Sequence, residues 1–204
     1  MAESAGRSYD KFVGAVADVL DSLGIEYGFA GSFASSQYGE PRATLDVDLT
    51  VHLQPNDADR FAAAFKSVEM FGDAETIREA FGYRNPVPFN VIDPTGGWKA
   101  DCYLLRDTAY DRAAFARRRE FRYLFAQRGI VWLYAPEDVI LLKLDYYRMS
   151  QGVSAKHLRD IAGMLVNMKR WEQLLDLDYL THWAIQLQLI DYWNSLWREF
   201  QQKR

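Results

Sequence analysis

The spacing of apolar side chains along the chain changes period several times, and each change marks an element. In residues 9–23, YDKFVGAVADVLDSL, the positions Phe12, Val13, Val16, Val19, Leu20 and Leu23 recur at helical spacing, with Ser8 as N-cap and Gly24 as a stop. IEYGFAG then predicts a short strand, and SFASSQYG a short helix closed by Gly39. Pro41 interrupts the chain before Leu45-Asp46-Val47-Asp48-Leu49-Thr50-Val51, whose alternation predicts a strand that buries its odd positions. Residues 56–70 read as a helix capped by Asn56. VPFNVID and GWKADCYLL read as two strands joined by a Pro-Thr-Gly-Gly turn, a hairpin pattern.

From residue 109 the character shifts. YDRAAFARRREFRYLF is arginine-rich, and GIVWLY predicts a last strand. After Pro136 the pattern is helical over 136–150, 154–169, 171–189 and 191–202, with no further proline. The expectation is an α+β domain over 1–134, with a mixed sheet flanked by helices, followed by a C-terminal helical domain over 135–204.

Composition narrows the class. A chain of 204 residues, 49% hydrophobic and 25% charged, can bury a sizeable core and is not of disordered type. No apolar run approaches the ~20 residues of a membrane span, and the N-terminus has no signal-like apolar region. Cys102 is the one cysteine, which excludes an intrachain disulfide or a cysteine zinc cluster. A soluble, cytoplasmic protein with no membrane partner is the expectation. A net charge of −4 opposes wholesale coating of nucleic acid.

Local charge and aromatic clusters add less. Arg112, Arg117, Arg118, Arg119, Arg122 and Arg128 form a local basic run, read as a solvated face or as a contact for a phosphorylated or nucleic-acid acceptor. His52, His157 and His182 lack ligand spacing. Trp171, Trp183, Trp193 and Trp197 fall on helical apolar stripes, suited to a core or to a homodimer face through the C-terminal helices.

The chemistry begins with two like charges. Alternation sends Asp46 and Asp48 to one face of their strand, about 7 Å apart from the rise per residue. Unpaired, they repel and gain nothing for a merely structural strand. A hard divalent cation removes that penalty, because Mg²⁺ prefers carboxylate oxygens together with substrate phosphates. Asp101 lies on a later strand, and if that strand pairs near the first, three carboxylates converge and can hold two metals. Upstream, Gly31-Ser32 falls where a strand gives way to a helix, a place where free N–H groups and a missing side chain suit a phosphate. Lys143 lies in the apolar stretch VILLKLDYY, so its ammonium needs a partner or a wet cleft: a triphosphate, or a salt bridge to Asp145 or Asp160.

The set Gly31-Ser32, Gly39, Arg42, Thr44, Asp46, Asp48 and Asp101 resembles the nucleotidyltransferase superfamily of DNA polymerase β type. The form G-x-x-R-x-T-x-D-x-D is similar to a small bacterial branch related to the AbiEii-type toxins and the minimal nucleotidyltransferases, and PEDVILLKLDYYR followed by KHLRDIAGML resembles its helical half. The AbiEii-type toxins carry a lysine between Gly-Ser and Asp-x-Asp, where the nearest cation here is Arg42.

The resemblance implies that Gly31 and Ser32, with Arg42, Thr44 and Lys143, bind a nucleoside triphosphate such as ATP. It implies that Asp46, Asp48 and Asp101 bind two Mg²⁺ ions, and that Asp101 helps deprotonate an acceptor hydroxyl. The reaction implied is transfer of a nucleoside monophosphate to that hydroxyl with release of pyrophosphate. The acceptor is open among a small molecule, a tRNA end and a protein side chain. A different class stays in view, a catalytically silent protein of this fold that works by binding a partner protein. A hydrolase or phosphotransferase reusing the same metals is a third.

Overall fold

The computed structural model describes residues 6–170 and 175–202. Trp171 and the start of the helix expected over 171–189 lie outside the described residues. In chain order the elements are α1 (Tyr9–Ser22), β1 (Tyr27–Phe29), α2 (Gly31–Tyr38), β2 (Asp46–Val51), α3 (Ala58–Ser67), β3 (Phe71–Gly72) and α4 (Ala74–Ala80). They continue as β4 (Phe89–Asp93), β5 (Trp98–Leu104), α5 (Ala109–Ala116), β6 (Arg119–Arg122), β7 (Ile130–Leu133), α6 (Pro136–Met149), α7 (Lys156–Arg170), α8 (Leu177–Gln186) and α9 (Ile190–Gln202). They fall into two compact units. The first is Met1–Phe29 with Thr44–Leu133, and the second is Ala30–Ala43 with Tyr134–Arg204. The segment holding α2 therefore groups with the C-terminal helices.

The first unit is built on one mixed sheet in the order β3-β4-β5-β2-β1-β7-β6. β2 is its axis, antiparallel to β1 and parallel to β5. The alternation of β2 holds where the ladder exists: Val47, Leu49 and Val51 are fully buried, while Asp46, Asp48 and Thr50 are half-buried on the other face. Burying each such side chain contributes roughly 1.5–3 kcal/mol, so this face fixes the strand's register. Leu45, expected inside, is 75% exposed, because the strand starts one residue later and Leu45 belongs to the exposed loop before it.

The expected hairpin forms. β4 and β5 pair antiparallel with Asp93 opposite Trp98, and Asp93 Oδ1 accepts hydrogen bonds from the backbone N–H and hydroxyl of Thr95 in the turn. The helix expected over 56–70 begins later, at Ala58. A short 3₁₀ turn, Pro55–Asp57, precedes it, and the reciprocal cap there is made by Gln54 and Asp57 instead of Asn56. α1 buries Phe12, Val13, Val16, Ala17, Val19 and Leu20 as its periodicity requires.

The second unit packs α2 against α6 and α7, and α8 against α6. α2 and α7 approach closely at Gly39, where an added Cβ would lie 2.8 Å from the backbone nitrogen of Met164. Asn167 Nδ2 donates to Gly39 O at 2.7 Å across the same approach, and the Tyr38 hydroxyl donates to Tyr134 O at 2.9 Å. The first turn of α6 carries Glu137 and Asp138, both fully buried. Beyond favouring the helix N-terminus, they hold α8: Glu137 Oε1 accepts from the Asp176 N–H and Asp138 Oδ1 from the Tyr179 hydroxyl. Trp193 is buried and stacks on Trp197, which stacks on Phe200. Among the described residues no helix is long and apolar enough to cross a membrane.

Candidate active site

The candidate residues occur in both units, and each set is described within its own. In the first unit the parallel pairing of β2 with β5 places Asp48 opposite Asp101 and Asp46 opposite Lys99. Since opposed residues in neighbouring strands share a face, Asp46, Asp48 and Asp101 stand on one side of the sheet. Lys99 stands among them. Its ammonium lies 2.9 Å from Asp101 Oδ1. That hydrogen bond raises the lysine's pKa against partial burial, and the charges of Asp101, Asp46 and Asp48 add to the rise. The β2–β5 register therefore sets a cation on the same face as the carboxylates.

Each carboxylate has further support. Thr44 Oγ1 donates to Asp46 Oδ1 at 2.9 Å and reaches the Asp46 carbonyl at 3.0 Å, so Thr44 orients the first acid. The Tyr9 hydroxyl also donates to that carbonyl. Asn90, opposite Asp101 across the β4–β5 hairpin, donates its amide to Asp101 Oδ1 at 2.5 Å. Asn90 was not a candidate from sequence, although the hairpin register alone would have set it beside Asp101. The three acids share a face but do not close into a ligand group. Among the described residues no three His, Cys, Asp or Glu side chains are gathered tightly enough to hold a metal ion. The reason is visible in the bonds: Asp101 is turned to Lys99 and Asn90, and Asp46 to Thr44.

The second unit carries the remaining candidates. Gly31 opens α2 with φ of +56°, a left-handed conformation that explains glycine there independently of any ligand. Ser32 follows it in the first turn, and Arg42 Nη2 donates to Ser32 Oγ. Arg42 Nε lies 3.2 Å from Asp160 Oδ1 on α7. Lys143 of α6, 3% exposed, donates to Asp160 Oδ2 at 2.6 Å. Of the partners expected for Lys143, the ion pair is made with Asp160, while Asp145 pairs with Arg148. Burial pushes the Asp160 carboxyl up. The hydrogen bond from Lys143 and the charges of Lys143 and Arg42 outweigh it and hold the group below the ordinary carboxylate range.

Other expected features resolve simply. Arg112, Arg119, Arg122 and Arg128 are exposed, in keeping with a solvated face. Arg118 is not, with only 12% of its side chain accessible. It donates to Tyr27 O at 2.5 Å, pairs with Glu26 and lies 3.4 Å over the Phe115 ring. His52 and His182 are exposed, and His157 stacks on Tyr146. A cavity of about 640 Å³ in the second unit, lined by Tyr147, Val166, Tyr192 and Phe200 among others, includes none of the candidate residues.

No protein-family model and no curated protein matches the sequence. Solved structures do. An antigenic nucleotidyltransferase-like protein from Paracoccidioides brasiliensis is similar with a TM-score of 0.53 at 24% identity, over 78% of this chain and 76% of that one. The antibiotic-resistance factor ANT(2'')-Ia in solution is similar with a TM-score of 0.54 at 12% identity, over 95% of this chain and 94% of its own. The lincosamide antibiotic adenylyltransferase LnuA, lincomycin-bound, is similar with a TM-score of 0.50 at 11% identity, over 78% and 97%. The fold is therefore the nucleotidyltransferase fold, as the sequence motifs led one to expect, with a mixed sheet and C-terminal helices.

Proposed function

We propose that this chain is a Mg²⁺-dependent nucleotidyltransferase that moves a nucleoside monophosphate from a nucleoside triphosphate to a hydroxyl of a small-molecule acceptor. The observation that carries the reading is the β2–β5 register, which sets Asp48 beside Asp101 with Asp46 on the same face. The chemistry of the donors suits the metal, since three carboxylates on one face supply hard oxygen ligands, although Asp101 must exchange its Lys99 partner for an ion to join them. Asp46, Asp48 and Asp101 would hold the ions. When bound, Mg²⁺ supplies charge neutralisation for the triphosphate and acidifies the acceptor hydroxyl.

The remaining work falls to side chains. Thr44 orients Asp46, and Asn90 with Lys99 orients Asp101. Asp101 accepts the proton of the acceptor hydroxyl. That oxygen forms a bond to the α-phosphorus as the bond to the β-phosphate oxygen breaks, and pyrophosphate leaves. Gly31, Ser32, Arg42 and Lys143 bind the triphosphate and stabilise the charge that gathers on the leaving group. Little covalent chemistry is asked of the chain beyond that proton.

The likeness to an antibiotic-resistance factor and to a lincosamide adenylyltransferase supports a small-molecule hydroxyl as acceptor and ATP as the first donor to test. Within the superfamily, the G-x-x-R-x-T-x-D-x-D form supports the small bacterial branch related to AbiEii-type toxins and minimal nucleotidyltransferases, working in the cytoplasm.

One observation favours the silent reading: Lys99 already neutralises part of the charge on Asp101. Incubation of the chain with Mg²⁺, labelled nucleoside triphosphates and a cell extract separates the two. Label transferred to a low-molecular-weight product, with pyrophosphate released and both lost in Asp48→Asn, supports the enzyme. No transfer with any triphosphate, together with no thermal shift from Mg²⁺ and nucleotide, would leave the partner-binding reading.

A further inference from the structure

We propose that Asp160 is a positioning residue for the triphosphate, fixing Lys143 and Arg42 as a paired cationic clamp beside Ser32. The inference rests on the reading of Gly31, Ser32, Arg42 and Lys143 as the triphosphate-binding set and extends it to a residue outside every motif that identified them.

The argument starts from Lys143. It projects from α6 within a run of Val139, Ile140, Leu141 and Leu144, all fully buried, and only 4% of its own side chain is accessible. An ammonium in such surroundings keeps its charge only beside an anion. Asp160 of α7, 8% accessible, is that anion, at 2.6 Å. The same carboxylate reaches a second cation through its other oxygen, Arg42 Nε at 3.2 Å, and Arg42 Nη2 lies 3.4 Å from Oδ2. One carboxylate thus joins two cations, Lys143 and Arg42. His157, one turn earlier on α7, adds little charge to the pair: burial first, then the Lys143 charge, lower its pKa and favour the neutral ring.

Geometry orients the pair. Arg42 is anchored at one end by Asp160 and bonds Ser32 Oγ with the other. Arg42 stands in an exposed loop, and its side chain is 36% accessible, so without Asp160 nothing described on α7 would hold the guanidinium over the first turn of α2. The close approach of α2 to α7 at Gly39, and the Asn167–Gly39 hydrogen bond, set the distance that Arg42 spans. Two cations already held by one carboxylate lose less freedom when a phosphate arrives, which favours charge-assisted contacts to it.

The test uses the intact chain with Mg²⁺ and each common nucleoside triphosphate, and carries forward the tightest binder with its monophosphate. Asp160→Asn should weaken triphosphate binding about tenfold and monophosphate binding by less than about twofold, since the clamp serves the outer phosphates. Asp160→Glu, which keeps the charge, should recover part of the loss. Asp160→Asn leaves Lys143 buried without its anion and can lower stability, so Asp160→Asn with Lys143→Met is the second variant. Removing both charges should restore the melting temperature, and triphosphate binding should be weaker than in Lys143→Met alone, because Arg42 loses its anchor as well. Triphosphate binding as tight as wild type in folded Asp160→Asn, binding by the double variant equal to that of Lys143→Met alone, or equal weakening of mono- and triphosphate, overturns the role of Asp160 and leaves the proposed activity standing. A wild-type chain that binds no nucleoside triphosphate overturns both.

Discussion

Neutralising Asp48 is the most direct probe of the carboxylate face. Asp48→Asn keeps the shape of the side chain and removes one charge. Strand spacing puts the neighbouring Asp101 about 5 Å away and Asp46 about 7 Å along the same strand. At effective dielectrics of roughly 20–80, one such pair of like charges costs about 1–3 kcal/mol at the shorter distance and somewhat less at the longer. The substitution relieves these two repulsions, set against the attraction of Asp48 to Lys99. The metal-free variant should therefore be more stable by about 1 kcal/mol, or about 2–4 °C in a chain of this size. Mg²⁺ should then reverse the order. The wild type gains stability as ions bind, by about 2.7 kcal/mol at a hundredfold excess over Kd, and the variant gains much less. Thermal unfolding in EDTA and in a Mg²⁺ titration reads both effects. A melting temperature that falls by the equivalent of several kcal/mol in EDTA would refute the electrostatic account and make Asp48 a structural residue.

Three further outcomes are expected. Gly31→Ala should lower stability by about 1–2 kcal/mol in urea unfolding, because φ is +56° there; an unchanged midpoint would show that α2 starts in another backbone conformation. The folded-state pKa of Asp160 lies below its unfolded value, so its contribution to stability is present above the unfolded pKa near 4 and is lost as pH falls through the folded value. The acid limb of a stability–pH profile should therefore be shallower in Asp160→Asn, and identical limbs would contradict the pairing with Lys143 and Arg42. Cys102 is 1% exposed on β5 and burial pushes its thiol pKa up, so a thiol reagent should label it only on unfolding; fast labelling of the native chain would contradict its place in the core.

What the sequence disclosed, and what it withheld, follows from the range of the signals involved. Period-2 alternation is local, so β2 and the sharing of one face by Asp46 and Asp48 were legible from seven residues. The hairpin was legible from its turn. The pairing of β5 with β2 was not, because a parallel ladder joins segments about fifty residues apart and no local pattern encodes its register. That register is what brings Asp101 and Lys99 to the acids. The two-residue β3 and the edge strand β6 left little trace for the same reason: their pairing partners, not their own composition, define them. Lys143 shows the limit most clearly. Its apolar surroundings in sequence demanded an anion and left two candidates, Asp145 and Asp160. Helical geometry disfavours Asp145, two residues away on α6 and pointing elsewhere, but it does not supply the partner: Asp160 arrives only because α7 packs on α6. A buried charge thus announces that a partner exists, and the packing of helices decides which one. In this chain that decision puts the same carboxylate in reach of Arg42, and links two cations that the sequence had placed a hundred residues apart.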